Sequence, residues 1–188
     1  MEDIEIVSLY LKRNESAIRE TADKYGNYCY SIAYNILSDE EDSKECVNDT
    51  YMGAWNSIPP NNPTSLSAYI GRICRNISLK KWRANSTQKR GGGEVSLVLD
   101  ELSECISSGL TLDDELENTA IAEYINSFLS GLSPIERRVF VKRYWYLSSV
   151  SAISSDTGFS QSKIKSILHR LRKRLRSNLE KEGVSIEI

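Results

Sequence analysis

The sequence predicts an all-α protein built as two small helical domains on a flexible acidic linker, and three observations predict it. Strand signals are nearly absent, while apolar residues spaced three and four apart recur along the chain. Basic charge is gathered into two separate blocks rather than spread evenly. The stretch Leu147 to Leu179, LSSVSAISSDTGFSQSKIKSILHRLRKRLRSNL, reads as a helix-turn-helix with a basic second helix. The 188 residues are 40% hydrophobic and 27% charged, the composition of a soluble globular chain long enough for one domain or two small ones.

Net charge is −2, which alone points to no nucleic acid. Its distribution does. Residues 1–70 carry five basic and twelve acidic side chains, residues 71–90 seven basic and none acidic, and residues 91–136 ten acids and no base. Each basic block is a candidate for phosphate contact. No apolar run approaches a membrane span, and MEDIEIVSLY is acidic rather than a signal peptide, so a cytoplasmic protein without membrane insertion is expected. Cys29, Cys46, Cys74 and Cys105 lie far apart with no CxxC and no clustered histidine. They read as buried thiols, so no metal site, no cofactor and no catalytic residue is expected.

In chain order, a first long helix is expected from about Glu15 to Leu37, with Ile18, Ala22, Tyr25, Cys29, Ile32, Ala33 and Ile36 on its inner face. Ser38 and Asp39 offer a cap for a second helix to about Ser57, with acids in its first turn favouring the dipole. Cys46, Val47, Thr50, Tyr51, Ala54 and Ile58 form its inward stripe. Glu45, Asn48, Asp49, Met52 and Trp55 are left at least partly outside. A methionine and a tryptophan beside acids suit a protein interface, with burial of Met52 and Trp55 in the core as the competing reading. Gly53 weakens this helix and has no local reason.

Ile58 to Ser67 must be a loop, since three prolines and two asparagines break any helix there. A helix resumes from about Leu66 to Ala84, mixing Tyr69, Ile70, Ile73, Cys74, Ile77 and Trp82 with Arg72, Arg75, Lys80, Lys81 and Arg83. Rings interleaved with cations suit single-stranded nucleic acid, and the bland alternative is an amphipathic helix with snorkelling cations. Residues 86–93, STQKRGGG, have linker composition, and Glu94 to Glu117 is acidic with scattered leucines.

A helix is expected over about Asp114 to Leu129, then Ser133-Pro134-Ile135-Glu136 as a capping box opening the next, which bears Val139, Phe140, Tyr144 and Trp145. Gly158 ends a short helix, Val150 to Thr157, and Ser160 caps the last, with Phe159 and Ile164 placed as a staple. That helix should bury Ile164, Ile167, Leu168, Leu171, Leu175 and Leu179. Between Ser160 and Leu179 it carries seven positive charges and no acid, where a merely solvated helix mixes signs.

With these residues in view, the chain from about Glu15 to Gly183 resembles the extracytoplasmic-function (ECF, group IV) sigma factors of the sigma-70 family, promoter-recognition subunits of bacterial RNA polymerase. DSKECVNDTYMGAW, Asp42 to Trp55, is similar to the family's D-A-E-D-L-V-Q-E-T-F-L-R-A-W. LSPIERRVFVKRYWYL and GFSQSKIKSILHRLRKRL match patterns near L-P-x-x-E-R-x-V-F-x-x-R-Y and G-x-S-x-x-x-V-K-S-x-L-x-R-x-R-x-x-L. The chain departs from the family with Gly53 and Lys44 in the first motif, and with Ala152-Ile153-Ser154 and Asp156 in the helix-turn-helix.

The resemblance implies a region 2 domain over 1–88, a linker over 89–112, a region 4 domain over 113–183 and a tail over 184–188. Glu45, Asn48, Asp49, Met52 and Trp55 would dock on the β′ coiled coil of core polymerase, with the β flap as a second polymerase contact. Asn61, Asn62, Tyr69, Arg72, Arg75, Asn76, Lys80 and Lys81 would read and melt the minus-ten element, the loop holding a flipped base. Gln161, Ser162, Lys165, Ser166 and His169 would lie on one face near the start of the last helix, where minus-thirty-five base edges are reached, with Arg170, Lys173 and Arg174 on phosphates and Lys163 within the same DNA-binding surface. The acidic linker would enter polymerase channels otherwise used by nucleic acid. Such a protein is not an enzyme; polymerase supplies the active site. A monomer when free is expected, and many relatives are held by an anti-sigma factor. The competing function is a stand-alone helix-turn-helix regulator, which would carry an effector or dimerisation domain in place of residues 1–90.

Overall fold

The computed structural model describes residues 1–86, 94–103 and 119–181, with backbone alone for Ser86, Glu94, Ser103 and residues 119–123, 180 and 181. Most of the expected acidic linker, Cys105, the start of the helix expected at Asp114, and the tail 184–188 lie outside the described residues. Within them every element is helical, in two compact units that divide between Gly91 and Gly92.

The first unit holds α1 (Asp3–Leu11), α2 (Ser16–Leu37), α3 (Glu40–Ser57) and α4 (Leu66–Ser86). α2 packs along both α3 and α4, these two pack on each other, and α1 lies against α2 and α4. Local chemistry sets the ends. Ser38 takes a left-handed φ of 54° and its N–H closes α2 on Tyr34 O, and Asp39 then caps α3 by accepting from Asp42 N at 2.9 Å. The α3 stripe is buried as its spacing requires, joined by Ser43, with Ile58 fully buried just beyond the last turn.

α1 was not legible as an element, and it moves the inner face of α2. The first turns of α2 bury Ala17 and Thr21, while Ile18, Ala22 and Tyr25 are half-buried. The reason is a polar clamp: Thr21 Oγ1 donates to Ala17 O, so its 2.8 Å partner Tyr10 Oη donates to it, inside the bundle. Asp3 adds a second anchor, accepting from Tyr25 Oη at 2.5 Å and pairing with Lys24 Nζ at 2.7 Å.

The second unit holds α5 (Glu94–Ser103), α6 (Thr119–Ser130), α7 (Pro134–Tyr144), α8 (Val150–Thr157) and α9 (Gln161–Lys181). α5 stands inside the stretch 89–112 that the sequence reads as linker. Val95, Val98 and Leu102, at positions i, i+3 and i+7, are buried, and α5 packs on α7. Ser133 and Glu136 form the capping box of α7, Ser149 caps α8 through Ala152 N, and Gly158 closes α8 at φ 72°. All six apolar residues expected inward on α9 are buried, and α9 packs on α7 and α8, whose Val139, Phe140 and Ile153 are buried as well. No described helix is long and apolar enough to cross a membrane.

Candidate nucleic-acid and protein interfaces

On the first unit, the residues left over by the α3 stripe form an outer row. Glu45, Asn48, Asp49 and Met52 are exposed, Met52 at 51% despite its apolar side chain. Trp55 differs. It is half-buried at the end of α3, 6.3 Å from the Tyr10 ring, with the Arg13 guanidinium 5.3 Å over its face and donating to Trp55 O at 2.5 Å. The competing reading that Trp55 belongs to the core is thus half right, and that for Met52 is not.

The loop after α3 carries Asn61 and Asn62, both exposed, between two buried anchors, Ile58 and Leu66. Asn61 Nδ2 donates to Tyr69 Oη at 3.1 Å, so one expected reader is tied to another. Along α4, Arg72, Asn76 and Lys80 are exposed at i, i+4 and i+8, and exposed Arg83 continues the row, a residue the site expectation omitted.

Two members of the expected set are elsewhere. Arg75 faces the bundle interior and is 1% exposed, so no phosphate reaches it in this structure. Its position explains it, because Cys74, Arg75, Ser78 and Leu79 together form the buried side of α4. Lys81 is held between two acids of α3, 2.9 Å from Asp42 Oδ1 and 2.6 Å from Glu45 Oε2, while Asn85 Nδ2 donates to Asp42 Oδ2 at 3.0 Å. Desolvation works against its charge, but the bonds to Glu45 and Asp42 outweigh that and hold the ammonium above its ordinary pKa. Glu45 and Lys81, expected in two different sites, therefore meet.

On the second unit, Gln161, Ser162, Lys163, Lys165, Ser166, His169, Arg170, Lys173 and Arg174 are all exposed on α9. Lys163 Nζ lies 3.5 Å from the Phe159 ring centroid, Arg170 is 3.7 Å from Glu136, and Arg174 Nη2 reaches Gly131 O at 3.5 Å. These are surface contacts that a phosphate can replace at small cost. Arg172 is different in kind. It turns inward to Tyr144 Oη at 3.0 Å and Glu101 Oε2 at 3.3 Å. Glu101 also clamps the fully buried Arg143, through Nε at 3.1 Å and Nη2 at 2.7 Å, and accepts from Tyr144 Oη at 3.2 Å. The basic charge of α9 thus divides into an outer surface and one structural arginine. Asp156, an acid where an apolar residue is common, pairs with Arg138 at 2.7 Å and Lys142 at 3.1 Å. Among the described residues no group of three or more His, Cys, Asp or Glu is placed to hold a metal ion.

Two family models and several known proteins are similar to this chain. Residues 21–88 match the family model described as Sigma-70 region 2, and residues 122–175 match that described as Sigma-70, region 4. The RNA polymerase sigma-E factor of Streptomyces avermitilis is 26% identical over 151 residues, covering 79% of this chain and 76% of that protein. The ECF RNA polymerase sigma factor SigL of Mycobacterium tuberculosis is 23% identical over 177 residues, covering 89% of this chain and 92% of that protein. A chain in the solved structure of CnrH in complex with the cytosolic domain of CnrY is 19% identical, covers 95% of this chain and 97% of itself, and superposes with a TM-score of 0.44.

Proposed function

The chain belongs to the sigma-70 family, carrying its region 2 and region 4, and from that premise we propose which surface performs which step of promoter-specific transcription initiation. As a sigma factor it gives RNA polymerase its promoter specificity; the assignment of individual contacts is our own. Region 2 spans 1–88 and region 4 spans 113–183. The α3 row Glu45, Asn48, Asp49 and Met52 docks on the β′ coiled coil, with Trp55 fixing the end of the row from its seat on α1. Asn61, Asn62, Tyr69, Arg72, Asn76 and Lys80 form the minus-ten surface, with Arg83 added and Arg75 removed. Lys81 joins it on release from its two acids.

On α9, Gln161, Ser162, Lys165, Ser166 and His169 face base edges in the minus-thirty-five major groove. Lys163, Arg170, Lys173 and Arg174 hold phosphates, which position without specifying. The protein performs no chemistry of its own and acts in the cytoplasm, with polymerase supplying the active site. The observation that carries this reading is the first unit's surface. An acid-amide-methionine row is exposed on α3 and a basic row is exposed on α4, which packs on α3, the pairing needed to hold a protein with one helix and DNA with the next. Two DNA-contacting modules on one chain gain by effective concentration once polymerase places both.

The test is run-off transcription with purified protein, sigma-free bacterial core polymerase and fragments of the source genome. Transcripts that depend on this protein are expected, and they yield both promoter elements. Duplex binding by the protein alone, with no transcript, would replace this reading with a stand-alone regulator.

A further inference from the structure

The loop read above as the base-holding segment is closed by a residue that neither the sequence nor the family resemblance singles out. Ser57, the last residue of α3, accepts at Oγ from Tyr69 Oη at 2.8 Å. Its own hydroxyl proton goes to Gly53 O at 2.7 Å. Tyr69 Oη in turn accepts from Asn61 Nδ2 at 3.1 Å, and the Asn61 N–H donates to Ser57 O at 3.1 Å.

The result is a one-way chain of donors, Asn61 to Tyr69 to Ser57 to the α3 backbone, in which each hydroxyl both accepts and donates. A second, backbone bond joins the same two ends. Hydrogen bonds arranged in such a chain polarise one another and fix the orientation of every member. Beneath them, fully buried Ile58 and Leu66 anchor the two legs of the loop. Between these fixed points, Asn62 and Thr64 stand exposed at the tip.

We propose that Ser57 is a positioning residue for promoter melting: it locks Tyr69 and Asn61 so that the loop is formed before a base arrives. The physical case is one of cost. Extruding a base from the stack costs its stacking and pairing energy, and any ordering of the receiving loop at that moment adds to the barrier. A loop ordered in advance by α3 removes that addition. The hydroxyl of Tyr69 is engaged inward by Ser57 and Asn61, so the group this tyrosine offers to DNA is its ring, which stacks on a base of any sequence. Ser57 itself touches no nucleic acid. It acts through Tyr69.

The proposal rests on the loop being the base-holding segment, and its test separates the two. Holoenzyme is assembled with the full-length wild type, Ser57→Ala, Ser57→Thr, Tyr69→Phe and the double variant Ser57→Ala/Tyr69→Phe. Core-polymerase affinity and the rate of promoter opening are read separately, on a promoter recovered by run-off transcription. Ser57→Ala should assemble normally and open about fivefold more slowly, the scale of one intramolecular hydrogen bond. Ser57→Thr, which keeps the hydroxyl, should restore the rate. The double variant should be no slower than Tyr69→Phe, because both changes break one chain. Wild-type opening by Ser57→Ala would overturn the proposal, as would slowing by the two changes that multiplies in the double variant. A wild-type protein that fails to assemble with polymerase, or an Asn61→Ala/Asn62→Ala loop that opens promoters normally, would instead overturn the reading of the site.

Discussion

Gly53 sits on α3 where Ile73 of α4 approaches it closely. Within α3 a glycine costs stability and the sequence offers no reason for it. The structure supplies one: a Cβ built at this position meets Ile73 Cγ2 of α4 at 2.9 Å, and Ile73 is branched where it would have to yield. Gly53→Ala is therefore expected to lower stability by about 1 kcal/mol, crowding outweighing the gain in helix propensity. Urea denaturation checks it, and an increase in stability would mean that α3 and α4 do not approach so closely. Arg75 carries the same lesson from the other side. Five cations on one helix look alike in sequence, yet one is buried with Cys74 and Ser78, because its position falls on the buried side of α4. Exposed Arg72 and Lys80 were legible as surface; their buried neighbour was not.

At the scale of elements, α1 and α5 are the two helices the sequence did not announce, and each is held by a carboxylate. Asp3 pins α1 to α2. The hydrogen bond from Lys24, then that from Tyr25, hold its carboxyl below the usual 3.8. A depressed acid stabilises the folded state above its unfolded pKa, and that contribution is lost as pH falls through the depressed value. The amide-exchange protection factors of α1 should then fall as pH drops below the ordinary carboxylate range, while those of the α2–α4 amides are kept. Asp3→Asn should abolish the α1 response to pH. An unchanged response in that variant would assign it to another acid.

α5 depends on Glu101, which clamps the fully buried Arg143 and meets Arg172 and Tyr144. Removing one partner of such a pair leaves charge buried, so Glu101→Ala is expected to cost about 3 kcal/mol. The cost should appear as faster amide exchange across α5 and α7, with Glu101→Gln milder. Full retention of protection would show that the apolar residues Val95, Val98 and Leu102 suffice to hold α5. Both helices lack a sequence signal for one physical reason: a short amphipathic helix gains its stability from the partner face it packs on.

At the scale of the whole molecule, function requires two surfaces on separate units, and two substitutions separate them. Asp49→Arg should abolish core-polymerase binding with the helical circular-dichroism spectrum intact, since an exposed residue carries no fold. Normal assembly would remove Asp49 from the docking surface. Lys165→Ala should leave polymerase affinity unchanged and weaken minus-thirty-five binding by about 1–2 kcal/mol, read as promoter affinity of the holoenzyme. Unchanged promoter affinity would exclude Lys165 as a reader. The sequence alone determined the helical class, the segregation of basic charge, the buried stripe of α9 and the outer row of α3. Each of these is periodicity or local charge, which a chain displays before it folds. Tertiary structure decided which cations face water and which are held by acids. It also set why Gly53 is required, where α1 and α5 dock, and how Ser57, Tyr69 and Asn61 close one loop. Those outcomes depend on distances between residues far apart in sequence, and only packing of one helix on another sets such distances.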